Sequence, residues 1–493
     1  VKILLIDPPF YRLIGFYNRY FPLGLVSVGT VLSEAGHEVV VYDGDYNEDP
    51  CAMDYARLPE YYPRYLDSFG DSDHPVWLEV RRTIERTGPD VVGISIWTAY
   101  AASAFRVAEI SKAIDPACPV VVGGPHATVR AEEILRISPA VDYVVRGEGE
   151  ITTVNLMARI TRAEPDLSEV AGLSFRKDGA VRHNPPRERI RNLDDLPLPD
   201  RTLLVHRDTY SSEDMGLVMT SRGCPFACSF CATETRQVRY HSIERVLAEI
   251  RQVKADHGTT QFSFKDDSFT VNRKRVIEFC DALIRENVAI GWECNTRADL
   301  VSEEMLARMK QAGCNSIKVG IESGSEAVLE RMNKGITLDQ ARKAAELLRK
   351  AGIYWTGYFL IGTPGETLED IYKTLDFMYE IRPDFASLGV YEPFPGAVMF
   401  DDGVKRGLVK PDMTEADFYA TLPNDYYRAD PRRHVETMTP EEFAAVEREM
   451  KERFHRYNGH WRRILNRARA RTAQYVRSPH VLYTDFRKYL SWR

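Results

Sequence analysis

The sequence predicts an α/β chain in three parts: a doubly wound parallel sheet, a second strand–helix region of six strands, and a mainly helical C-terminal region. Three observations carry this reading. Short apolar runs alternate with helical spacings through residues 1–150, the pattern of a parallel sheet with crossover helices. The alternation lapses into a proline-punctuated stretch and resumes from about Leu217 to Val390. Beyond Pro395-Gly396 the strand signals cease. A length of 493 residues suits about three domains. The expected divisions are 1–150, a linker over 151–205, then 206–395 and 396–493.

In the first part, Lys2–Asp7, Glu38–Asp43, Val91–Trp97, Pro119–Val122 and Tyr143–Arg146 read as buried strands. Pro22–Ala35, a segment ending at Ile114 and Ala127–Ile137 read as helices. Sheets of this kind take ligands beyond the carboxyl ends of their strands, where Ser95, Thr98, Gly123, Gly124 and Gly147 fall. Glycines there let the backbone approach a bulky ligand, or only turn the chain. No GxGxxG follows the first strand, which argues against a nicotinamide dinucleotide. Asp45–Val80 is an insertion rich in Tyr, Pro and Asp, and its rings, among them Tyr55, Tyr62, Tyr65 and Trp77, argue against disorder. Leu167–Asp200 holds a hairpin around Lys177-Asp178-Gly179, followed by a stiff, proline-spaced connector.

In the second part the strands are Leu217–Ser221, Gln261–Lys265, Ile290–Asn295, Ser316–Ile321, Tyr354–Ile361 and Phe385–Val390. Helices such as Ser242–His257, Arg273–Glu286, Glu303–Ala312 and Leu338–Ala351 separate them. Six strands are two short of a full eight-stranded barrel. Polar residues gather where these strands end: Asp266, Asp267, Arg297, Glu322 and the run Gly362-Thr363-Pro364-Gly365-Glu366.

The totals exclude several classes. Hydrophobic content of 44% and charge of 28% describe a globular protein, and a net charge of −7 argues against a general nucleic-acid binder. No apolar run is long enough to span a bilayer and Val1-Lys2-Ile3 opens no signal peptide, so the expectation is a cytoplasmic protein. Eight cysteines in this length are no disulfide scaffold, and Cys51, Cys118, Cys280 and Cys314 read as ordinary thiols.

The remaining cysteines include Cys224-Pro-Phe-Ala-Cys228-Ser-Phe-Cys231. Three thiolates hold three irons of a [4Fe–4S] cluster and leave the fourth iron open. The alternative is a zinc site, which wants a fourth ligand such as His241 or Cys294. The CxxxCxxC spacing and Phe230 resemble the signature of the radical S-adenosylmethionine (SAM) superfamily. That resemblance implies a partial (β/α)6 barrel, SAM held on the open iron, and its cleavage to methionine and a 5′-deoxyadenosyl radical. It further implies that Asp266 or Asp267 meets the SAM ammonium, Arg297 its carboxylate and Glu322 the ribose or ammonium, with Phe230, Gly362 and Pro364 also beside SAM.

The segments Gly93-Ile-Ser-Ile-Trp-Thr98, Val121-Val-Gly-Gly-Pro-His-Ala-Thr128 and Val144-Val-Arg-Gly-Glu-Gly-Glu150 resemble the flavodoxin-like cobalamin-binding domain that precedes the barrel in cobalamin-dependent radical SAM enzymes. The resemblance implies cobalamin against Pro9, Ser95, Trp97, Thr98, Gly123, Gly124, His126, Gly147 and Glu148. The DxHxxG motif that supplies an axial His elsewhere is absent, since His74 follows Asp73 directly. The cobalt is therefore expected to lack a protein imidazole, and the aromatic insertion to pack beside the corrin or to form a helical flap.

Cys294 and Tyr391 are the candidates for a catalytic role near the substrate; each also reads as a packing residue. Thr439–Tyr457 reads as a capped helix. From Lys451 onward there are 12 Lys/Arg against 2 Asp/Glu. This tail is a solvated face, a contact with anionic lipid at the inner membrane, or a dock for a flavodoxin- or ferredoxin-type electron donor. The implied function is methylation of an unactivated carbon in a small-molecule or lipid-like substrate. The alternatives are a reaction like that of the anaerobic magnesium-protoporphyrin cyclase, and a corrinoid sensor or carrier whose cluster is only structural.

Overall fold

The computed structural model describes residues 1–15, 21–46, 58–162, 166–233, 235–429, 435–477 and 482–483, the side chains of 58–60, 473, 474 and 477 excepted. Cys51 and Tyr55 lie outside these residues, as do Arg487 to Arg493 of the basic tail. The described residues up to Ser211, together with Lys410–Tyr427, form unit 1; Ser212–Val409 and the described residues from Arg428 on form unit 2.

Unit 1 is built on strands β1 (Lys2–Asp7), β2 (Glu38–Asp43), β3 (Val91–Ser95), β4 (Val120–Gly123), β5 (Tyr143–Val145), β6 (Leu173–Lys177) and β7 (Ala180–His183). They pair in the order β2-β1-β3-β4-β5-β6-β7, parallel through β5 and antiparallel thereafter. The parallel strands are near-continuous runs of Val, Ile and Leu because helices cover both faces of such a sheet. Those helices are α1 (Leu23–Glu34), α2 (Leu58–Gly70), α3 (Pro75–Thr87), α4 (Ala101–Ile114), α5 (Pro125–Ile137) and α6 (Gly149–Arg162). The hairpin seen in sequence is no part of a free connector: it pairs with the open edge of β5. The proline-spaced stretch after it also packs on this unit, where Val205 N donates to Val41 O at 2.8 Å beside the opposite edge. From Leu58 on, the described part of the insertion is helical, and Tyr62, Tyr65, Phe69 and Trp77 are buried, with Tyr65 stacked on Phe69 at 5.5 Å.

Unit 2 carries an open six-stranded parallel sheet in the order β15-β14-β13-β12-β11-β8. Its strands are β8 (Leu217–Val218), β11 (Gln261–Phe264), β12 (Gly291–Arg297), β13 (Cys314–Glu322), β14 (Tyr354–Ile361) and β15 (Phe385–Val390). A separate antiparallel pair joins β9 (Ser221–Arg222) to β10 (Arg239–Tyr240). Helices α7 (Ile243–His257), α8 (Arg273–Arg285), α9 (Glu303–Gln311), α10 (Glu326–Arg331), α11 (Leu338–Ala351) and α12 (Leu368–Ile381) follow the strands. Their ends follow local chemistry: Ser242 caps α7, Thr337 and Gln340 form a reciprocal cap on α11, and Gly258 and Gly352 end these two helices in left-handed geometry. The apolar face of the sheet meets these helices, where Phe264 and Trp292 lie edge to face at 5.4 Å. The other face is polar.

The C-terminal helices are α13 (Val398–Lys405), α14 (Glu415–Ala420), α15 (Pro440–Asn458) and α16 (Trp461–Arg477). The segment Lys410–Tyr427, which includes α14, clusters with unit 1 rather than with a separate C-terminal region. Glu133 of α5 accepts from Met413 N at 3.2 Å and from the Tyr427 hydroxyl, which explains why a carboxylate can be buried there. No helix among the described residues is long and apolar enough to cross a membrane.

Candidate functional site

The three thiols lie on the loop between β9 and β10. The loop is fixed from several sides. Gly223 opens it at φ +96°, and a Cβ there would stand 2.5 Å from Gln237 O. Cys224 N donates to Thr235 O at 3.0 Å, Ser229 N to Met332 O at 2.8 Å, and Met399 N to Ser229 O at 2.8 Å. Asn333 Nδ2 donates to Ala227 O at 2.8 Å. Cys224 and Cys228 are half-buried and Cys231 is exposed. Burial pushes the Cys224 and Cys228 thiols up; Lys334 and Arg297 pull Cys228 down, while Cys231 and Cys228 push Cys224 further up. The three sulfurs therefore share one electrostatic neighbourhood. Among the described residues no three His, Cys, Asp or Glu donors converge on a single ion. A [4Fe–4S] cubane takes three thiolates on three separate irons, and the free thiols of Cys224, Cys228 and Cys231 on this one loop are a donor set that fits it.

Strand ends bring charges to this loop. Asp266 is fully buried and accepts from Thr220 N at 3.1 Å, Thr220 Oγ1 at 2.9 Å and Ser221 Oγ, whereas Asp267 stays open to solvent. Of that pair Asp267 alone faces outward; Asp266 holds the start of the Cys loop in place. Glu322, at φ +66°, accepts from Lys334 Nζ at 2.6 Å. Arg297 is buried and bonds Asp299 through Nε at 3.0 Å, so it is already paired. Gly362 and Pro364 are buried in a turn that Glu366 closes, accepting from Thr363 N at 2.9 Å and Thr363 Oγ1 at 3.2 Å. Burial pushes Glu366 up to about 7.

In unit 1 the carboxyl edge presents backbone and one large ring. Trp97 is 51% exposed, Gly147 is open with nothing near its missing side chain, and Ser95, Thr98 and Gly123 are half-buried. Gly124 sits at φ +104°, where a Cβ would stand 3.0 Å from Ile96 O. Pro9 is buried against Gly44. Such a surface of glycines with one exposed indole fits the flat bulk of a corrinoid. Two expected contacts are otherwise engaged. His126 is buried beneath Phe418 and Tyr427, bonds Thr98 Oγ1 through Nδ1 at 3.1 Å, and is pushed down to about 3 by burial and Arg130. Glu148 accepts from Ile190 N at 2.8 Å.

Comparison with known proteins agrees with both halves of this description. Residues 218–378 match the Radical SAM superfamily, and residues 13–157 match the B12 binding domain. An uncharacterized methyltransferase of Pyrococcus horikoshii is 34% identical over 418 residues, 83% of this chain and 84% of that protein. The chain belongs to the cobalamin-dependent radical SAM enzymes. The anaerobic magnesium-protoporphyrin IX monomethyl ester cyclase of Rubrivivax gelatinosus is 31% identical, over 66% of this chain and 60% of the cyclase. The solved radical SAM methyltransferase TsrM from Kitasatospora setae shares the fold, with a TM-score of 0.62 at 19% identity, covering 84% of this chain and 79% of that one. As a member of this family the protein is an enzyme whose cofactors are a [4Fe–4S] cluster, SAM and cobalamin; a corrinoid sensor with a merely structural cluster is thereby set aside.

Within the radical SAM unit, strand alternation decides what Cys294 does. Glu293 and Asn295 face the polar side and Cys294 faces the helices, 1% exposed, its thiol pushed well up by burial and by Cys314. It is a small core residue, not a reactive one. Tyr391 is also buried, packed on Val328, Met332 and Met399, with Phe230 against the same cluster. It braces the Cys loop from behind. Sequence reasoning missed the polar group inside the sheet, where Glu293 accepts from Lys318 Nζ at 2.6 Å and Ser263 Oγ at 2.8 Å, and where Lys265 is pushed down to about 8 by burial and Lys318. Their alternation along β11, β12 and β13 was the available signal. It also missed Lys334 and Asp299, which come from loops without periodicity. A cavity of about 700 Å³ lies at the amino ends of the strands, bordered by Gln261, Gly291, Asn315 and Arg467. That end is opposite the Cys loop, and barrel chemistry sits at the carboxyl end.

Proposed function

We propose that this enzyme transfers a methyl group to an unactivated carbon of a small-molecule or lipid-like substrate. The supporting observation is kinship over 83% of this chain with a protein named as a methyltransferase, of which 84% is matched. When bound, the cluster supplies the electron that cleaves SAM and cobalamin carries the methyl group. Cys224, Cys228 and Cys231 hold the cluster. Asp267 takes the SAM ammonium, Glu322 fixed by Lys334 takes the ribose, and Phe230 with the Gly362–Pro364 backbone borders the nucleoside. Pro9, Ser95, Trp97, Thr98, Gly123, Gly124 and Gly147 would border cobalamin. A flavodoxin- or ferredoxin-type donor supplies electrons. The cytoplasmic setting, peripheral to the inner membrane where the basic tail meets anionic lipid, belongs to the same proposal.

The test is anaerobic. The protein is reconstituted with iron, sulfide and hydroxocobalamin, then given SAM and a strong reductant, and deoxyadenosine and S-adenosylhomocysteine are measured. Both products are expected, with deoxyadenosine lost in Cys228→Ala. Neither product from cluster-loaded protein would overturn the reading. A second reading, cyclase-like chemistry, is favoured by the 31% identity to the Rubrivivax cyclase. It predicts deoxyadenosine without S-adenosylhomocysteine and no CH3 gain in the substrate.

A further inference from the structure

The Arg297 guanidinium is held on every side that the Cys loop and its neighbours present. Nε donates to Asp299 Oδ1 at 3.0 Å and Nη2 to Asp299 Oδ2 at 3.2 Å. Nη2 also donates to Lys334 O at 2.6 Å. Nη1 lies 3.6 Å from Cys228 Sγ in donor geometry. The flat face stacks on Phe226, with Cζ 3.8 Å from the ring centroid. Phe226 is the middle residue of the stretch between Cys224 and Cys228, so the cation is clamped to the loop whose thiols it meets.

A guanidinium has five N–H groups, and a carboxylate is recognised by two parallel ones. Here Asp299 takes the Nε/Nη2 edge. The Nη1/Nη2 edge is divided between the Lys334 carbonyl and the Cys228 sulfur. A single Nη1–H is left over, which is no fork. The arrangement therefore does not offer the SAM carboxylate the bidentate seat that the family resemblance led us to expect of Arg297.

We infer that Arg297 is a positioning residue of the cluster: it donates an N–H to the Cys228 thiolate and raises the reduction potential of the bound cluster. This rests on the reading of Cys224, Cys228 and Cys231 as cluster ligands. On reduction one electron passes from a low-potential flavodoxin- or ferredoxin-class donor to the cluster; no bond forms or breaks and no proton moves. The cluster with its thiolates gains negative charge, and a buried cation bonded to one thiolate stabilises the reduced form more than the oxidised one. Asp299 keeps the guanidinium fixed, and the Phe226 stack keeps the charge against the loop when the thiolate ionises.

The experiment compares wild type, Arg297→Gln and Arg297→Lys after anaerobic reconstitution. Three quantities are read: iron and sulfide per chain, the cluster midpoint potential by EPR-monitored titration with titanium(III) citrate in the absence of SAM, and SAM binding by equilibrium dialysis. Wild-type protein that takes up no cluster would refute the ligand reading itself, separately from the role of Arg297. Given loading, the expected result is a midpoint shifted to more negative values in Arg297→Gln, a smaller shift in Arg297→Lys, and SAM affinity changed by less than about twofold, because no forked contact is lost. An unchanged midpoint overturns the inference, whether SAM binding falls (a carboxylate partner after all) or not (a packing role). Should Arg297→Gln fail to load, Arg297→Lys, which keeps the charge but not the fork, decides by the same two readings.

Discussion

Both units of this enzyme are built on runs of parallel strands that offer their carboxyl ends, and they furnish those ends in different ways. Unit 2 places ionisable side chains there: three thiols, Asp267, Glu322 with Lys334, and Arg297. Unit 1 places backbone and Trp97 at the ends of β3 to β5 and holds buried or half-buried acids at the ends of β1 and β2. Asp7, Asp43 and Asp45 lie together at the ends of β1 and β2, where Asp43 accepts from the Tyr210 hydroxyl at 2.6 Å and Asp45 from Phe10 N at 2.7 Å. The difference suits the ligands proposed for each edge. Iron needs thiolates at fixed points, and the charge it brings must be balanced close by. A corrinoid is large and is held by shape, so small residues and a broad ring serve it.

The strongest way to break this comparison is to give each edge a side chain it lacks. Gly223→Ala puts a Cβ 2.5 Å from Gln237 O at φ +96°, and Gly124→Ala puts one 3.0 Å from Ile96 O at φ +104°. Strain of this kind is about 1–3 kcal/mol, roughly tenfold in an equilibrium. Gly223→Ala is expected to lower iron uptake about tenfold with hydroxocobalamin binding intact. Gly124→Ala is expected to weaken cobalamin binding with iron uptake intact, and by less, since its contact is longer. Iron analysis and a cobalamin absorbance titration on both variants check this; parallel loss of both ligands would mean the edges are not independent.

A second effect probes the buried acids. Burial, then repulsion from Asp45, pushes Asp43 up to about 7, and burial pushes Asp45 up to about 6, from an ordinary value of 3.8. The folded state therefore holds protons that the unfolded chain has released. The stability tied to them is fully present below the ordinary carboxylate range and is lost as pH rises through about 6 to 7. Thermal melts should show stability falling as pH rises from the ordinary value of 3.8 up to about 7, by an amount on the order of a few kcal/mol. Asp45→Asn keeps an acceptor for Phe10 N and removes one charge, so it should flatten the fall and stabilise the protein at alkaline pH. An unchanged pH profile would show that the acids are not coupled as their burial implies.

What was legible in the sequence divides along the same line. The strands of both sheets were readable because parallel strands buried on both faces appear as short apolar runs between helical spacings. The Cys loop was readable because its donors are adjacent in sequence. Arg297 was readable as a strand-end charge but not as a neighbour of Cys228, since the contact joins residues 69 apart. Nor could sequence show that Asp266 is held by Thr220 and Ser221 while Asp267 is open, because the two differ only in which way the backbone turns. His126 and Glu148 lay in the right motif and were taken by local partners. The return of Lys410–Tyr427 to unit 1 had no periodic signal at all; it depends on Glu133, Tyr427 and their mutual burial.

A third effect concerns how each sheet guards its edge. In unit 1 the end strand β5 is covered by a whole hairpin, β6 and β7. In unit 2 a side-chain amide meets the backbone edge of the end strand β15. Asn458, near the end of α15, accepts from Ala386 N through Oδ1 at 2.9 Å and donates from Nδ2 to Ala386 O at 2.8 Å, standing in for the residue of a further strand. An amide is the side chain that matches a peptide's donor and acceptor together. Asn458→Ala removes two hydrogen bonds at a buried position and should cost about 1–3 kcal/mol. Asn458→Asp keeps the acceptor for Ala386 N but sets a carboxylate oxygen against Ala386 O, so it should cost at least as much despite its near-identical shape. Denaturant melts of the two variants, read with an unfolding probe in unit 2, order them. If Asp is tolerated better than Ala, the edge is held by packing, and the two units would then guard their edges by the same means.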